Sequence, residues 1–259
     1  MPIERLVVWG CGELGSRVAR LWLHRGGTVV GVTQTDERHA VLEKLGIFPV
    51  TADAGLDLRD HDHLLLATPG SANQMQSLQA LTRDLPPARS VLASTIGIYG
   101  GQQGDLDETS PIGSTPRAIA AAQLEAAFEA WTLDSGVTLR FGGLYQPGRG
   151  PFAAFQRSHT IPPGEPAKPL TLIHYDDAAQ ATLQALLHDK PERRYLAFCS
   201  PSPTRRAFYT LAQDALGLPQ TDYGDPKDAP TRRFDTSLLQ RDLLPNPQYP
   251  DWRAALTSE

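Results

Sequence analysis

The stretch Leu6-Val7-Val8-Trp9-Gly10-Cys11-Gly12-Glu13-Leu14-Gly15-Ser16-Arg17-Val18-Ala19 decides the fold. A short apolar run enters Gly10-x-Gly12-x-x-Gly15 and an amphipathic segment leaves it, which reads as strand, tight turn and helix. In such a turn the first glycine permits the backbone reversal and the second lets a pyrophosphate approach the main chain. The third lets the helix pack close to the strand. The phosphate then sits at the helix N-terminus, where free N–H groups and the helix dipole favour an anion. Gly10, Cys11, Gly12, Glu13, Leu14 and Gly15 are therefore the first candidate cofactor residues, against the plainer reading of a simple turn. Cys11 is read as a small residue tolerated beside the backbone.

Working outward, Leu14, Val18, Leu21 and Trp22 recur at helical spacing and Gly26-Gly27 stops the helix. Thr28–Thr33 is a short apolar strand whose end, about 20 residues past the turn, selects the cofactor in folds of this kind. An acid at that tip would accept from a ribose 2′-hydroxyl and mark NAD. The strand instead ends Thr33-Gln34-Thr35-Asp36-Glu37-Arg38. Arg38 is placed to face a 2′-phosphate, or is a solvated helix-start arginine, and Asp36 reads as an N-cap or first-turn acid. NAD and NADP stay open, with a lean toward NADP.

Further strands are expected at Ile47–Val50, His63–Thr68, Ser90–Thr95 and Val137–Phe141, and helices at Asp36–Leu45, from Ala72 to about Arg83 and at Pro116–Asp134. Short apolar strands alternating with helices predict an α/β fold, a Rossmann-type doubly wound parallel sheet. Residues 1–145 are assigned to this dinucleotide-binding domain. Residues 146–259 are read as a smaller C-terminal region that packs on the sheet and walls a substrate cleft. Its opening stretch, Pro147–Pro169, is expected to be long and irregular. It then holds a strand at Leu170–His174, a helix at Tyr175–His188, a strand at Arg194–Phe198 and a helix at Thr204–Leu216. One more helical patch falls within Arg232–Ser258.

The bulk properties exclude several classes. The chain has 259 residues, 41% hydrophobic and 20% charged, with a formal net charge of -5, which suits a globular protein without a nucleic-acid footprint. Cys11 and Cys199 lie far apart, so neither a disulfide framework nor metal-ligand spacing follows. The first strand begins within a few residues of Met1, leaving no room for a signal peptide, and no apolar run approaches a membrane span. The expectation is a cytoplasmic protein with no membrane partner and no metal.

Four separated stretches, in order, resemble the extended short-chain dehydrogenase/reductases of the NAD-dependent epimerase/dehydratase group. They are the glycine turn, Ser94-Thr95-Ile96-Gly97-Ile98-Tyr99-Gly100, Arg140-Phe141-Gly142-Gly143-Leu144-Tyr145-Gln146-Pro147-Gly148, and Leu172-Ile173-His174-Tyr175-Asp176-Asp177-Ala178-Ala179. The resemblance implies that Thr95 matches the hydroxyl bonding the substrate's reacting oxygen. It further implies that Ala67 and Thr68, with Pro69 and Ser94, line the cofactor, and that His174 and Asp177 stand at the junction between domains. It also implies a homodimer through the helices near Ala72–Arg83 and Pro116–Asp134.

The departure from that family is as informative. Its proton-transfer pair is Tyr-x-x-x-Lys, a phenol whose pKa is lowered by an ammonium. Anchoring on Glu125 puts Arg117 in the tyrosine place and Ala121 in the lysine place, and no tyrosine or lysine occurs between Asp105 and Asp134. The chain thus resembles the branch without the active-site tyrosine. Thr95 and Tyr99 are the candidate catalytic residues, Tyr99 as an alternative proton donor. Thr95 is otherwise a loop cap and Tyr99 a piece of cleft wall. Arg117, Tyr145 and His174 are candidate substrate residues, each with a structural alternative. Three functions follow: an NAD(P)-dependent oxidoreductase or epimerase/dehydratase acting on a small polar substrate such as a sugar nucleotide, a non-catalytic NAD(P)-binding sensor or scaffold, and a fold that has lost its cofactor.

Overall fold

The computed structural model describes residues 4–82, 85–223 and 232–256. Arg83 and Ser258, which bound two of the expected segments, lie outside them. Seven parallel strands form the central sheet: β1 (Arg5–Trp9), β2 (Thr28–Thr33), β3 (Phe48–Thr51), β4 (His63–Leu66), β5 (Arg89–Thr95), β7 (Gly136–Phe141) and β10 (Arg194–Ala197). Their spatial order is β3-β2-β1-β4-β5-β7-β10. The order reverses between β1 and β4, and the carboxyl ends at such a switch point are where doubly wound sheets bind ligands.

Period-two alternation along each strand divides the core between the two faces. Leu6, Val8, Leu65 and Val91 pack with α1 (Glu13–His24) and α6 (Tyr175–Leu187), where Trp22 is fully buried. Val7, Trp9, Leu64, Leu66 and Leu92 pack with α3 (Ser71–Leu81) and α4 (Pro116–Thr132) through Leu78, Leu81, Leu124 and Phe128. Burying each of these large side chains is worth about 2 kcal/mol. Thr115 caps α4, its hydroxyl accepting from the Ala118 N–H at 3.2 Å, and Pro116 stands in the first turn, where a missing N–H costs nothing.

The C-terminal half is less separate than its composition implies. Arg194–Ala197 completes the main sheet beside β7, with Leu196 opposite Arg140. Two small parallel sheets carry the remainder: β8 (Gly143–Tyr145) with β9 (Leu172–His174), and β6 (Gly104–Leu106) with β11 (Arg232–Phe234). The stretch expected to be irregular holds α5 (Pro151–Ser158), whose Phe152 and Phe155 face Phe208 and Tyr209 of α7 (Arg205–Ala215) in a third core. Proline at the first helical position and apolar residues three apart support α5 despite the surrounding prolines. The second expected helix is split into a 3-10 turn at Asp36–Arg38 and α2 (His39–Lys44). The helical patch in the tail is α8 (Ser237–Asp242). Ile47, expected to open β3, precedes it and is buried against Gly31.

Candidate active site

The carboxyl ends of β1, β4, β5 and β7 open into a cleft of about 590 Å³. Its floor is the glycine turn, and each glycine there has a separate physical reason. Gly10 has φ +93, and a Cβ on it would lie 2.4 Å from the Thr68 backbone nitrogen. A Cβ on Gly15 would meet Val8 Cγ1 at 2.6 Å and the Gly10 carbonyl at 2.9 Å, so α1 can sit this close to β1 only with glycine there. Gly12 caps α1, and a Cβ on it would find nothing nearer than Arg38 Nη1 at 3.8 Å. The space above Gly12 is therefore open, at the N-terminus of a 12-residue helix. That is a cradle a side chain would fill and a pyrophosphate fits. The residues present suit a dinucleotide.

A second chamber, about 240 Å³, shares Gly10, Gly12, Ala67, Thr68 and Pro69 with the cleft and runs toward the tip of β2. Thr33 and Arg38 line it. Arg38 Nη1 donates to the Cys11 carbonyl at 3.2 Å, which anchors the guanidinium at the chamber's edge. The Thr33 hydroxyl donates to the Thr35 carbonyl at 2.7 Å, and His39 Nε2 lies 2.9 Å from the Thr33 hydroxyl oxygen. Cys11 presents its backbone to this chamber while its thiol is buried near Gly31, and burial pushes the thiol up to about 12. It is an inert packing group.

At the far end stand Ser94, Thr95 and Arg117. Thr95 is extended and caps a 3-10 turn at Ile96–Tyr99, its hydroxyl accepting from the Gly97 N–H at 3.0 Å. Arg117 Nη2 donates to the same oxygen at 3.4 Å. A Cβ on Gly97 would approach Arg117 Nε to 3.0 Å, so the glycine makes room for the guanidinium. Ser94 turns inward: its hydroxyl donates to Glu125 Oε1 at 2.5 Å, and Glu125 is paired with the buried Arg140 at 2.8 Å.

The remaining expected residues are placed elsewhere. The structure does not bring Tyr99 to the cleft. It is fully buried, its hydroxyl donates to the Asp107 carbonyl at 2.7 Å and accepts from Arg140, and burial pushes it up to about 12. A phenol so placed has neither access nor a suitable pKa for proton transfer near neutrality. Tyr145 and His174 stand behind the wall. Their rings meet edge-on at 5.2 Å, and His174 stacks on Tyr249 at 3.7 Å while its Nδ1 accepts from the Asp176 N–H at 3.1 Å. Burial lowers the His174 pKa and raises that of Tyr145. Asp177 secures the tail by accepting from the N–H groups of Gln248 and Tyr249 at 2.7 and 2.9 Å.

Sequence reading missed Gln74, Arg149 and Tyr175 as lining residues. Gln74 Nε2 donates to the Ala93 carbonyl at 2.7 Å, bracing the cleft floor from α3. Arg149 lies 5.6 Å from the centre of the Tyr175 ring. Arg149 directly follows the motif that ends at Gly148, and Tyr175 lies within the motif around His174, so those two motifs were the available signal. Among the described residues, no group of three or more His, Cys, Asp or Glu side chains is arranged to hold a metal, and no helix is long and apolar enough to cross a membrane.

Comparison with known proteins agrees with this geometry. No family model matches the chain. Protein YeeZ of Escherichia coli K12 is 28% identical over 96% of this chain and 97% of its own length. UDP-glucose 4-epimerase of Thermotoga maritima, solved with UDP-glucose, superposes with a TM-score of 0.75 at 17% identity, over 99% of this chain and 97% of that one. Human epimerase family protein SDR39U1, solved with NADPH, gives 0.72 at 20% identity, over 97% of each chain. The fold is that of the NAD-dependent epimerase/dehydratases. A putative member from Methylobacillus flagellatus gives 0.72 at 23% identity, over 98% of this chain and 96% of that one. The shared fold thus extends over 97% or more of the chain in each of these three superpositions.

Proposed function

We propose that this protein is a cytoplasmic NAD(P)-dependent oxidoreductase or epimerase/dehydratase acting on a small polar substrate, sugar nucleotides included, with NADP favoured. The observation that carries this reading is the continuity of one cleft from the glycine turn to Thr95 and Arg117. Residues 1–145 are assigned the cofactor and residues 146–259 the covering of the substrate. A homodimer through α3 and α4 belongs to the same proposal and is checked by light scattering.

A bound nicotinamide supplies or accepts the hydride. Gly10, Gly12 and the first N–H groups of α1 would hold the dinucleotide's pyrophosphate, and Arg38 at the tip of β2 would attract a 2′-phosphate. The Thr95 hydroxyl accepts from Gly97 and Arg117, so its own proton is free to be donated to the reacting oxygen. The adjacent guanidinium stabilises negative charge developing there, as an oxyanion-hole donor does. Because a guanidinium keeps its proton near neutrality, Arg117 polarises, the Thr95 hydroxyl donates a hydrogen bond, and the transferred proton is supplied by water.

The second reading, a non-catalytic sensor, is favoured by the absence of the tyrosine–lysine pair. Titration with NADPH and NADH followed by a carbonyl and alcohol panel separates the two. Expected are NADPH binding and turnover that Thr95→Val abolishes while cofactor affinity is kept. NADPH binding with no turnover on any panel member establishes the sensor, and no binding of either dinucleotide overturns both.

A further inference from the structure

Beyond Thr95 the cleft continues into a third chamber of about 350 Å³, which shares Thr95, Arg117, Phe141 and Gly142 with it. Four cations line this chamber, Arg117, Lys168, Arg205 and Arg232, and no Asp or Glu does. They come from four separate places: the start of α4, the loop after α5, the start of α7, and β11. That convergence occurs in a chain whose formal net charge is -5.

Several arginines elsewhere are spent on carboxylates: Arg5 on Asp62, Arg17 on Glu13 and Asp176, Arg140 on Glu125, Arg193 on Glu129 and Asp134. Among the described residues none of the four chamber cations has a carboxylate within ion-pair distance. Arg205 donates to the Pro162 carbonyl and Arg232 Nε to the Gln102 carbonyl at 2.8 Å, which fixes their positions and leaves their charge uncompensated. Glu165 shares a neighbouring recess with both Lys168 and Arg232, outside ion-pair distance of either; it acts on Arg232 through space, while burial depresses the pKa of that guanidinium. The loop that contributes Lys168 is fastened to α7: the Arg205 N–H donates to the Lys168 carbonyl and the Arg206 N–H to the Pro166 carbonyl, each at 2.9 Å. The chamber is therefore built from anchored backbone. Uncompensated like charges in a walled recess focus a positive potential and draw in an anion.

We propose that this chamber binds an oxyanion carried by the substrate, a phosphate monoester or a carboxylate, and holds the reacting oxygen of a compact anionic molecule at Thr95. The proposal rests on the oxidoreductase reading for what happens at Thr95, while the anion site stands on its own geometry.

The test is calorimetric titration of the protein, with and without NADPH, using inorganic phosphate, oxalate and, as a neutral control, glycerol. Phosphate or oxalate is expected to bind, whichever is tighter naming the substrate's group, and to weaken as salt is raised. Glycerol is not expected to bind. Lys168→Gln and Arg232→Gln are each expected to weaken anion binding about tenfold, the loss of one charge-assisted contact. NADPH affinity is expected to stay as it was. Lys168 is exposed on its loop, so its variant decides the matter even if Arg232→Gln folds poorly. Absence of binding by both anions, or binding that Lys168→Gln leaves unchanged, overturns the proposal. Failure of both NADPH and NADH to bind overturns the oxidoreductase reading instead, and the anion titration then still decides the chamber.

Discussion

Arg140 and Arg117 reach toward the same stretch, Ser94–Tyr99, from opposite sides and do opposite things there. Arg140, on β7, is only 4% exposed and uses its donors on Glu125, on the Tyr99 hydroxyl and on the Glu108 carbonyl at 3.1 Å. Arg117, on the first turn of α4, is exposed and makes one long hydrogen bond, to Thr95. A buried charge must be fully partnered or the fold loses several kcal/mol, whereas an exposed one leaves its donors available to a ligand. One guanidinium fixes the wall of the cleft; the other faces what enters it.

Arg140→Met should show the largest effect. It strands Glu125 as a buried carboxylate, and denaturant unfolding should report a loss of about 3–5 kcal/mol. Arg117→Met, by contrast, should change stability by less than about 0.5 kcal/mol. It should cut turnover about a hundredfold through loss of an oxyanion donor. Equal destabilisation by the two variants would erase the distinction between them.

The glycine turn sharpens the same contrast between holding the fold and holding a ligand. Gly15→Val drives a branched side chain into Val8 and the Gly10 carbonyl, for an expected loss of about 1–3 kcal/mol in unfolding free energy. Gly12→Val points into the open space, so stability should stay close to that of the parent while NADPH fluorescence titration shows binding about tenfold weaker or worse. Smaller again is Arg38→Ala. It should weaken NADPH about tenfold and leave NADH nearly unchanged, the loss of one charge-assisted phosphate contact. Equal losses for both dinucleotides would make Arg38 a support for the Cys11 carbonyl and no more.

Where local chemistry dictates the backbone, the sequence was legible. The glycine spacing, the short apolar strand runs and the Gly26-Gly27 helix stop all describe what short segments must do in any context. The destinations of Tyr145 and His174 were not legible, because each sits one residue from a cleft-lining neighbour and successive side chains along a strand turn to opposite faces, while Tyr99 is carried inward at the end of a 3-10 turn. Leu144 lines the cleft while Tyr145 faces the third core. The cationic chamber was equally hidden. Lys168, Arg205 and Arg232 lie far from Arg117 in the sequence, and only the tertiary fold assembles them around it.

Tyr99 makes the smallest change and tests the contrast most narrowly. Tyr99→Phe removes a donor to the Asp107 carbonyl and one acceptor for Arg140, which keeps Glu125 and the Glu108 carbonyl, so the expected cost near neutrality is about 1 kcal/mol. The alkaline limb carries the more specific signature. Burial outweighs the nearby Arg140 and raises this phenol from its ordinary value of 10.0 to about 12, so it is the protonated form that the native state favours. The associated stability is therefore whole below pH 10. It is lost as pH rises through the window to about 12, where the unfolded chain ionises and the native chain does not. Unfolding free energies across that window should fall less steeply for Tyr99→Phe than for the parent. Turnover near neutrality should be unchanged, because Tyr99 belongs with Arg140 and not with Arg117. A large fall in turnover with the alkaline slope unaltered would place the phenol in the chemistry and remove it from the wall.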